Sequence, residues 1–472
     1  MASIGKFIKS SAIYFVGNVL TKVISFFLLP IYTNYIATAD MGYYDVSISY
    51  VHIIAPVVCM EIWSGIMRYM FDYNEKDGKY KAIFNGFIIF GCSVLIYTIG
   101  AGVLGIVTDI KMLFLIFLYG ITYMLHTVYS YVVRGLGYNA VFAISGILGS
   151  LINSVSNIIM IILLDMRLDS MYIALILGLA FQVIFMEFRI KLIKHMSFDM
   201  FDKAMITSMV RFSLPLCLNS ASFWFLSNYN RVGISNTLGL EANGIYSVAA
   251  KFTYVLGLAS NCFSMAWQEM VYSMGNEKEN KSKFYSTASN YYIKFLMYGT
   301  VVLIPAVSVI FPFMVAKEYN AAYDVVPLYL LATVTNIYSV FLGNIFSAEK
   351  KTSIIFFSTV AAAVVNVSLF HLLVGDMELQ AANIALLCGF LVMIVFRLFL
   401  LRKDFKIHLD FKMLIFTTIL FCIAYYIYAT QTRTVNFIAA IVFGIITIIA
   451  FRDLLKNGLN AVKGKLKKKQ KN

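Results

Sequence analysis

"ADMGYYDVSISYVHII", Ala39 to Ile54, places an aspartate, Asp45, and a histidine, His52, inside a long apolar segment. The chain states the phrase again as "ANGIYSVAAKFTYVLG", Ala242 to Gly257, with Lys251 standing where the first copy has Ser49. One constant offset carries Gly42 onto Gly244, Tyr44 onto Tyr246, Val46 onto Val248 and Asn34 onto Asn236. A membrane segment repeated in the same orientation is the mark of a transporter built from two like halves.

Composition makes the segments membrane spans. Of the 472 residues 60% are hydrophobic and 13% are charged, and the mean hydropathy is +0.80. A soluble domain carries about 25% charged residues. A bilayer core needs about 20 apolar residues per helix, which predicts about fourteen spans. They lie at roughly 10–34, 43–67, 82–106, 110–132, 141–164, 171–194, 211–236, 244–268, 286–315, 324–347, 353–374, 381–401, 411–430 and 435–453. The expected fold is an all-α polytopic membrane protein with two parallel six-helix lobes, residues 1–200 and 201–408. Residues 409–472 add a helix pair and a basic tail.

The first span begins like a signal peptide, with "ATA" at Ala37 to Ala39 resembling a cleavage site. Asn18 and Lys22 interrupt its apolar part, and the segment is longer than a signal core, so it is expected to stay in the fold. Basic residues set the orientation. With the N-terminus in the cytoplasm, about 30 of the 38 lysines and arginines fall on the cytoplasmic side. Only Lys111, Arg167, Lys317 and Arg433 fall opposite. Both termini are therefore expected inside a bacterial or archaeal cytoplasmic membrane. The net charge of +14 then reads as anchoring to anionic lipid by "KGKLKKKQKN" and the inner loops, with no nucleic-acid partner.

Four spans carry a polar stripe at helical spacing. Span 8 offers Ser247, Lys251, Tyr254, Asn261 and Gln268; span 2 offers Asp45, Ser49 and His52. Span 1 offers Asn18, Lys22, Ser25 and Tyr32; span 7 offers Ser220, Trp224, Ser227, Arg231 and Ser235. Such stripes face a bundle interior or a watery cavity, because an ionisable group in lipid costs about 2.5–3.5 kcal/mol. The four helices are expected to wall a central cleft whose deeper charges, Lys22, Arg231, Lys251 and Lys294, are basic. Excess cation in a low-dielectric cleft suits an anion, and guanidinium suits phosphate. The expected substrate residues are Arg231, Lys251, Lys22, Asp45, His52, Tyr254, Trp224 and Asn261. Arg231 and Lys251 should lie at one depth, about 8–11 Å below the outer surface. Glu61 and Arg68, two turns apart, are placed to pair near the inner boundary. The bland reading of each lone base is snorkelling to an interface, and that of His52 is hydrogen-bonded packing.

The chain has no GxxxxGK[ST] and no HExxH, and its six cysteines fall inside predicted spans. No cofactor or metal is called for. With no nucleotide motif, an ion gradient or the membrane potential is the default energy source. Outer loops of about ten residues or fewer speak against a membrane-embedded glycosyltransferase or polymerase.

The chain resembles the polysaccharide-transport family, the repeat-unit flippases of O-antigen and capsule synthesis. That family shares a superfamily with multidrug and toxic compound extrusion exporters and lipid II flippases. The resemblance is carried by "KSSAIYFVGNVLTKVISFFLLPIYTNYI" from Lys9, "RFSLPL" at Arg211 to Leu216, and "NYNRVGISNTLGLEANGIYSVAAKF", Asn228 to Phe252. Members typically show an Asp-Arg pair where this chain has Asn230-Arg231. The resemblance implies movement of a polyprenyl-diphosphate-linked oligosaccharide from the inner to the outer leaflet by alternating access, beside a polysaccharide polymerase. The alternatives are a lipid II-type or sporulation-type flippase, and a multidrug exporter, whose organic cations would favour carboxylates over bases.

Overall fold

The computed structural model describes residues 26–73, 75–273, 278–349, 351–405 and 407–452. Among them the regular structure is helical throughout: α1 (Leu29–Tyr35), α2 (Thr38–Val58), α3 (Ile62–Met70), α4 (Lys76–Val107), α5 (Leu113–Gly135), α6 (Asn139–Ile158), α7 (Arg167–Ile190), α8 (Lys203–Ser227), α9 (Tyr229–Thr237), α10 (Leu240–Phe252), α11 (Tyr254–Ser273), α12 (Lys278–Met314), α13 (Ala322–Ala348), α14 (Thr352–Met377), α15 (Leu379–Asp404), α16 (Phe411–Thr430) and α17 (Arg433–Ala450). Apolar runs of this length have no other solution in a bilayer. Without water, each backbone N–H and C=O must be satisfied inside its own segment. The chain is a multi-pass membrane protein.

Ten of the described helices are long and apolar enough to cross a membrane, and α2 with α3, bent by 50°, makes an eleventh. The shortfall from the expected fourteen lies in the polar-striped segments. The first, 10–34, lies mostly outside the described residues. The segment at 211–236 is two helices, α8 and α9, meeting at Asn228. That at 244–268 is also two, α10 and α11, meeting at Thr253. The polar groups that make a helix suitable for lining a cavity also dilute its apolar content. Irregular backbone at membrane depth is tolerated where it is covered by protein or lines water.

The break between α2 and α3 has a local cause. Pro56 removes an N–H near the end of α2, and Met60 and Glu61 then adopt φ of 49° and 53°. Left-handed backbone costs a non-glycine residue about 1–2 kcal/mol. Two bonds hold the turn, Glu61 N–H to Pro56 O at 3.0 Å and Met60 N–H to Val57 O at 3.1 Å. The Glu61 carboxylate accepts from Ser64 Oγ at 3.1 Å and from Ser220 Oγ on α8. Its expected partner, Arg68, pairs instead with Asp72, one turn further along the chain. The left-handed break turns Glu61 towards α8, so the two-turn spacing to Arg68 no longer applies.

Helices α2 and α10 cross at their N-terminal ends more closely than side chains allow. A Cβ on Gly42 would stand 1.8 Å from Leu240 O, and one on Gly244 would stand 1.9 Å from Thr38 O. The sequence offset that maps Gly42 onto Gly244 also maps Thr38 onto Leu240, so the contact is reciprocal. Self-complementary contacts of this kind arise at two-fold axes. Asn243 Nδ2 adds a bond to Gly42 O at 2.9 Å.

The chain forms two compact units. Among the described residues, the larger comprises those up to Ser273 and again Met314–Phe399; the smaller comprises those from Lys278 to Phe313 and from Leu400 to Arg452. Within the smaller unit, Lys294 Nζ donates to Ala450 O at 2.9 Å, capping the C-terminal end of α17, and stands 5.0 Å from the Phe451 ring centre. A lysine there satisfies an orphan carbonyl and complements the helix dipole. Within the larger unit, Arg397 on α15 is 3% exposed. Its Nε donates to Ser358 Oγ at 3.0 Å and its Nη1 to Ser339 O. Gly343 leaves room for that guanidinium, since a Cβ there would lie 2.9 Å from Nη1.

Candidate substrate site

The interrupted segments bring the predicted basic and acidic residues to the crossing of α2 with α9 and α10. Asn228 ends α8, and Arg231 follows in the first turn of α9, its Nη1 donating to Asn228 Oδ1 at 2.9 Å. Arg231 Nε lies 2.8 Å from Asp45 Oδ2 on α2, with both side chains about one-fifth exposed. The acid that the local sequence lacks is therefore supplied across the helix crossing. The distance is that of an ion pair, yet neither Arg231 Nε nor Asp45 Oδ2 makes an aligned hydrogen bond, and both atoms are buried. The charges attract, but the directional part of a strong guanidinium–carboxylate contact is missing.

Asn230, which occupies the position of the family's aspartate, is 3% exposed and turned away from this contact. Its Nδ2 donates to Ala382 O at 2.8 Å, and it exchanges amide bonds with Asn366 on α14 at 3.2 and 3.0 Å. An amide is both donor and acceptor, so two asparagines satisfy each other where two carboxylates would repel.

Lys251 lies near the C-terminal end of α10. Its Nζ is 3.4 Å from Tyr254 Oη and 5.3 Å from the centre of that ring. Among the described residues no carboxylate pairs with it. Tyr254 lies within electrostatic reach of Lys251, Arg231 and Asp45. Arg231 in turn reaches Tyr329 and Tyr246, whose rings are 5.0 Å apart. The result is two cations and one carboxylate among tyrosines. Gly239, at φ 93°, lets α10 begin at Leu240. At 1.5 Å rise per residue Lys251 is then about 16 Å from the start of its helix, against about 9 Å from Arg231 to the end of α9.

The other predicted residues divide. His52 accepts from or donates to Tyr119 Oη through Nε2 at 3.0 Å, lies 5.0 Å from the Tyr123 ring, and is within electrostatic reach of Arg231. Trp224 is buried and donates from Nε1 to Ser49 O at 2.7 Å, fastening α8 to α2. Lys22 lies outside the described residues, as does the side chain of Asn261. Sequence reasoning missed Tyr329 and Asn366. A lone amide in the apolar run of α14 was a signal for the second; nothing marked Tyr329 among the 31 tyrosines.

The family model described as "Polysaccharide biosynthesis protein" matches residues 7–267, more than half of the chain. No curated protein matches it. Among solved structures, the fold is similar to "Lipid II flippase MurJ, inward closed conformation", with TM-score 0.69 and 16% identity over 95% of this chain and 100% of that one. It is also similar to the inward-facing conformation of a multidrug resistance MATE family transporter of the MOP superfamily, with TM-score 0.63 and 15% identity over 82% and 93% of the two chains. The outward-facing conformation of such a transporter gives 0.54 at 14% identity. A chain with these broken, polar-striped helices and a family model matched over more than half its length belongs to the polysaccharide biosynthesis protein family, and it shares the fold of these solved structures.

Proposed function

We propose that the protein is a flippase that carries a polyprenyl-diphosphate-linked oligosaccharide, a surface-polysaccharide repeat unit, from the inner to the outer leaflet of the cytoplasmic membrane. The observation that carries this reading is the cationic excess where α2, α9 and α10 meet. Arg231 and Lys251 face one carboxylate, Asp45, in a setting of tyrosines. A diphosphate supplies the missing negative charge. The two bases suit its two phosphoryl groups: guanidinium grips one in a planar fork and ammonium attracts the other as a point charge. Tyr254, Tyr246 and Tyr329 offer hydroxyls and ring faces to sugars, and the polyprenyl chain remains in lipid. The same cationic excess disfavours the organic cations of a multidrug exporter. The residues expected to form the site are Arg231, Lys251, Asp45, His52 and Tyr254, with Lys22, Trp224 and Asn261 as further candidates.

In this reading residues 1–200 and 201–408 are the two rocking lobes, and both termini are cytoplasmic. The Gly42–Gly244 crossing then lies towards the outer face. The test is surface polysaccharide in a flippase-null host, with membrane protein level as control. The Arg231→Ala, Lys251→Ala double variant should insert normally and export nothing. Arg231→Lys should restore export only in part if the planar fork matters. Wild-type polymer from the double variant would refute the assignment.

A further inference from the structure

Three observations at the α2–α10 crossing combine. The backbones interlock at Gly42 and Gly244 with no room for a single methyl group. The only acid paired with Arg231 among the described residues is Asp45, reached from α9, the helix that precedes α10. The pair is close but unaligned, leaving Arg231 Nε and Asp45 Oδ2 buried without a hydrogen bond. Buried polar atoms are nearly always satisfied, so two atoms that share only an unaligned charge contact keep hydrogen-bonding capacity for another partner.

We propose that Asp45 is a resident counter-ion which latches α2 to α9, and through it to the adjoining α10, and that a diphosphate ligand opens the latch by displacing Asp45 from Arg231. The inference rests on the substrate reading above and adds its coupling to movement. Without ligand, Asp45 holds Arg231 and the helices stay interlocked. A ligand wins Arg231 only if it offers better geometry and more charge than one carboxylate. A diphosphate does so by bridging Arg231 to Lys251, which has no paired acid among the described residues. A phosphate monoester lacks the second phosphoryl group needed for that bridge. Asp45, once released, no longer draws α2 towards α9, and the crossing is free to part. Selection for a diphosphate and permission to open thus become one event. A ligand shifts such an equilibrium only through its differential affinity for the two states, and here the difference is whether Arg231 is already occupied.

The experiment places a reporter cysteine at Ser247, which is 2% exposed and one turn in from Gly244, after replacing the native cysteines with serine. Labelling by a membrane-impermeant thiol reagent from the outer side is followed in vesicles. With Asp45 intact, labelling should be slow without ligand, rise about 10-fold with farnesyl diphosphate and change little with farnesyl monophosphate. Asp45→Asn should label about 10-fold faster with no ligand present, and farnesyl diphosphate should add nothing. Asp45→Glu keeps the charge and should label slowly. Fast labelling of Asp45→Glu equal to that of Asp45→Asn would show loosened packing rather than a lost counter-ion and overturn the latch. So would slow labelling of Asp45→Asn. If Asp45→Asn labels fast but farnesyl diphosphate leaves the wild type slow, the closing contact survives while the diphosphate trigger, and the substrate reading beneath it, fail.

Discussion

Replacing Gly42 with alanine puts the reciprocal crossing to its hardest test. The new methyl carbon would lie 1.8 Å from Leu240 O, whereas ordinary contact begins near 3.4 Å, so the helices must part by about 1.6 Å. The obstructing atom is backbone, and no rotamer change relieves it. The same displacement lengthens two contacts that bridge the crossing. The Asn243–Gly42 O bond, at 2.9 Å, and the Arg231–Asp45 contact, at 2.8 Å, would both pass 4 Å. A lost hydrogen bond costs about 1 kcal/mol and overpacking about 1–3 kcal/mol. Together Gly42→Ala should destabilise the protein by about 2–4 kcal/mol. Gly244→Ala meets Thr38 O at 1.9 Å and should cost the same to within about 1 kcal/mol. Gly102→Ala on α4 is the control. Nothing lies within 4 Å of its Cβ position, so it should be neutral or stabilising through helix propensity. The assay is denaturant-induced unfolding in detergent micelles. If Gly42→Ala matches the Gly102→Ala control, the interlocked crossing is wrong. If Gly42→Ala and Gly244→Ala differ widely, the crossing lacks the two-fold character that its geometry shows.

Arg397→Ala should lower thermal stability and membrane abundance, because each hydrogen bond lost from a charged donor costs about 1.5–3 kcal/mol. The surviving protein should still respond to farnesyl diphosphate, and a stable Arg397→Ala protein that no longer responds would move Arg397 into the substrate site. Reporter fusions at Glu75, Glu277 and the C-terminus should report cytoplasm, and those at Asp109 and Glu378 should report the outside. A cytoplasmic signal at Asp109 would reverse the orientation on which the outer placement of Gly42 and Gly244 rests.

Much of this architecture is legible in one dimension because a bilayer enforces it. Apolar runs such as those of α4, α15 and α17 have to be helices, and hydropathy finds them to within a few residues. The echo between Ala39–Ile54 and Ala242–Gly257 pointed to the crossing, because a Cβ at either matching position would stand within 2 Å of a backbone oxygen, so both must be glycine. Polar stripes singled out the helices whose Asp45, Arg231, Lys251 and Tyr254 lie within reach of one another. They did not show that those helices are broken at Glu61, Asn228 and Thr253, since a break depends on what satisfies the freed backbone groups. Partners across helices were hidden for the same reason. Asp45 was visible as an acid and Arg231 as a base lacking one, but which helix faces which is a matter of packing. The bond from the Trp224 indole to the Ser49 carbonyl on α2 was likewise beyond stripe reasoning, which places a residue on a face but does not name its partner.

The most direct test of the account is transbilayer movement itself, measured with purified protein in vesicles. A fluorescent polyprenyl-diphosphate oligosaccharide is loaded into one leaflet, and its arrival in the other is read by a membrane-impermeant quencher. Wild-type protein should speed the exchange well above that of protein-free vesicles, and the Arg231→Ala, Lys251→Ala double variant should fall back to the protein-free rate. Movement at the wild-type rate by the double variant, or no acceleration by the wild type, would contradict the claim that these bases carry a lipid-linked diphosphate.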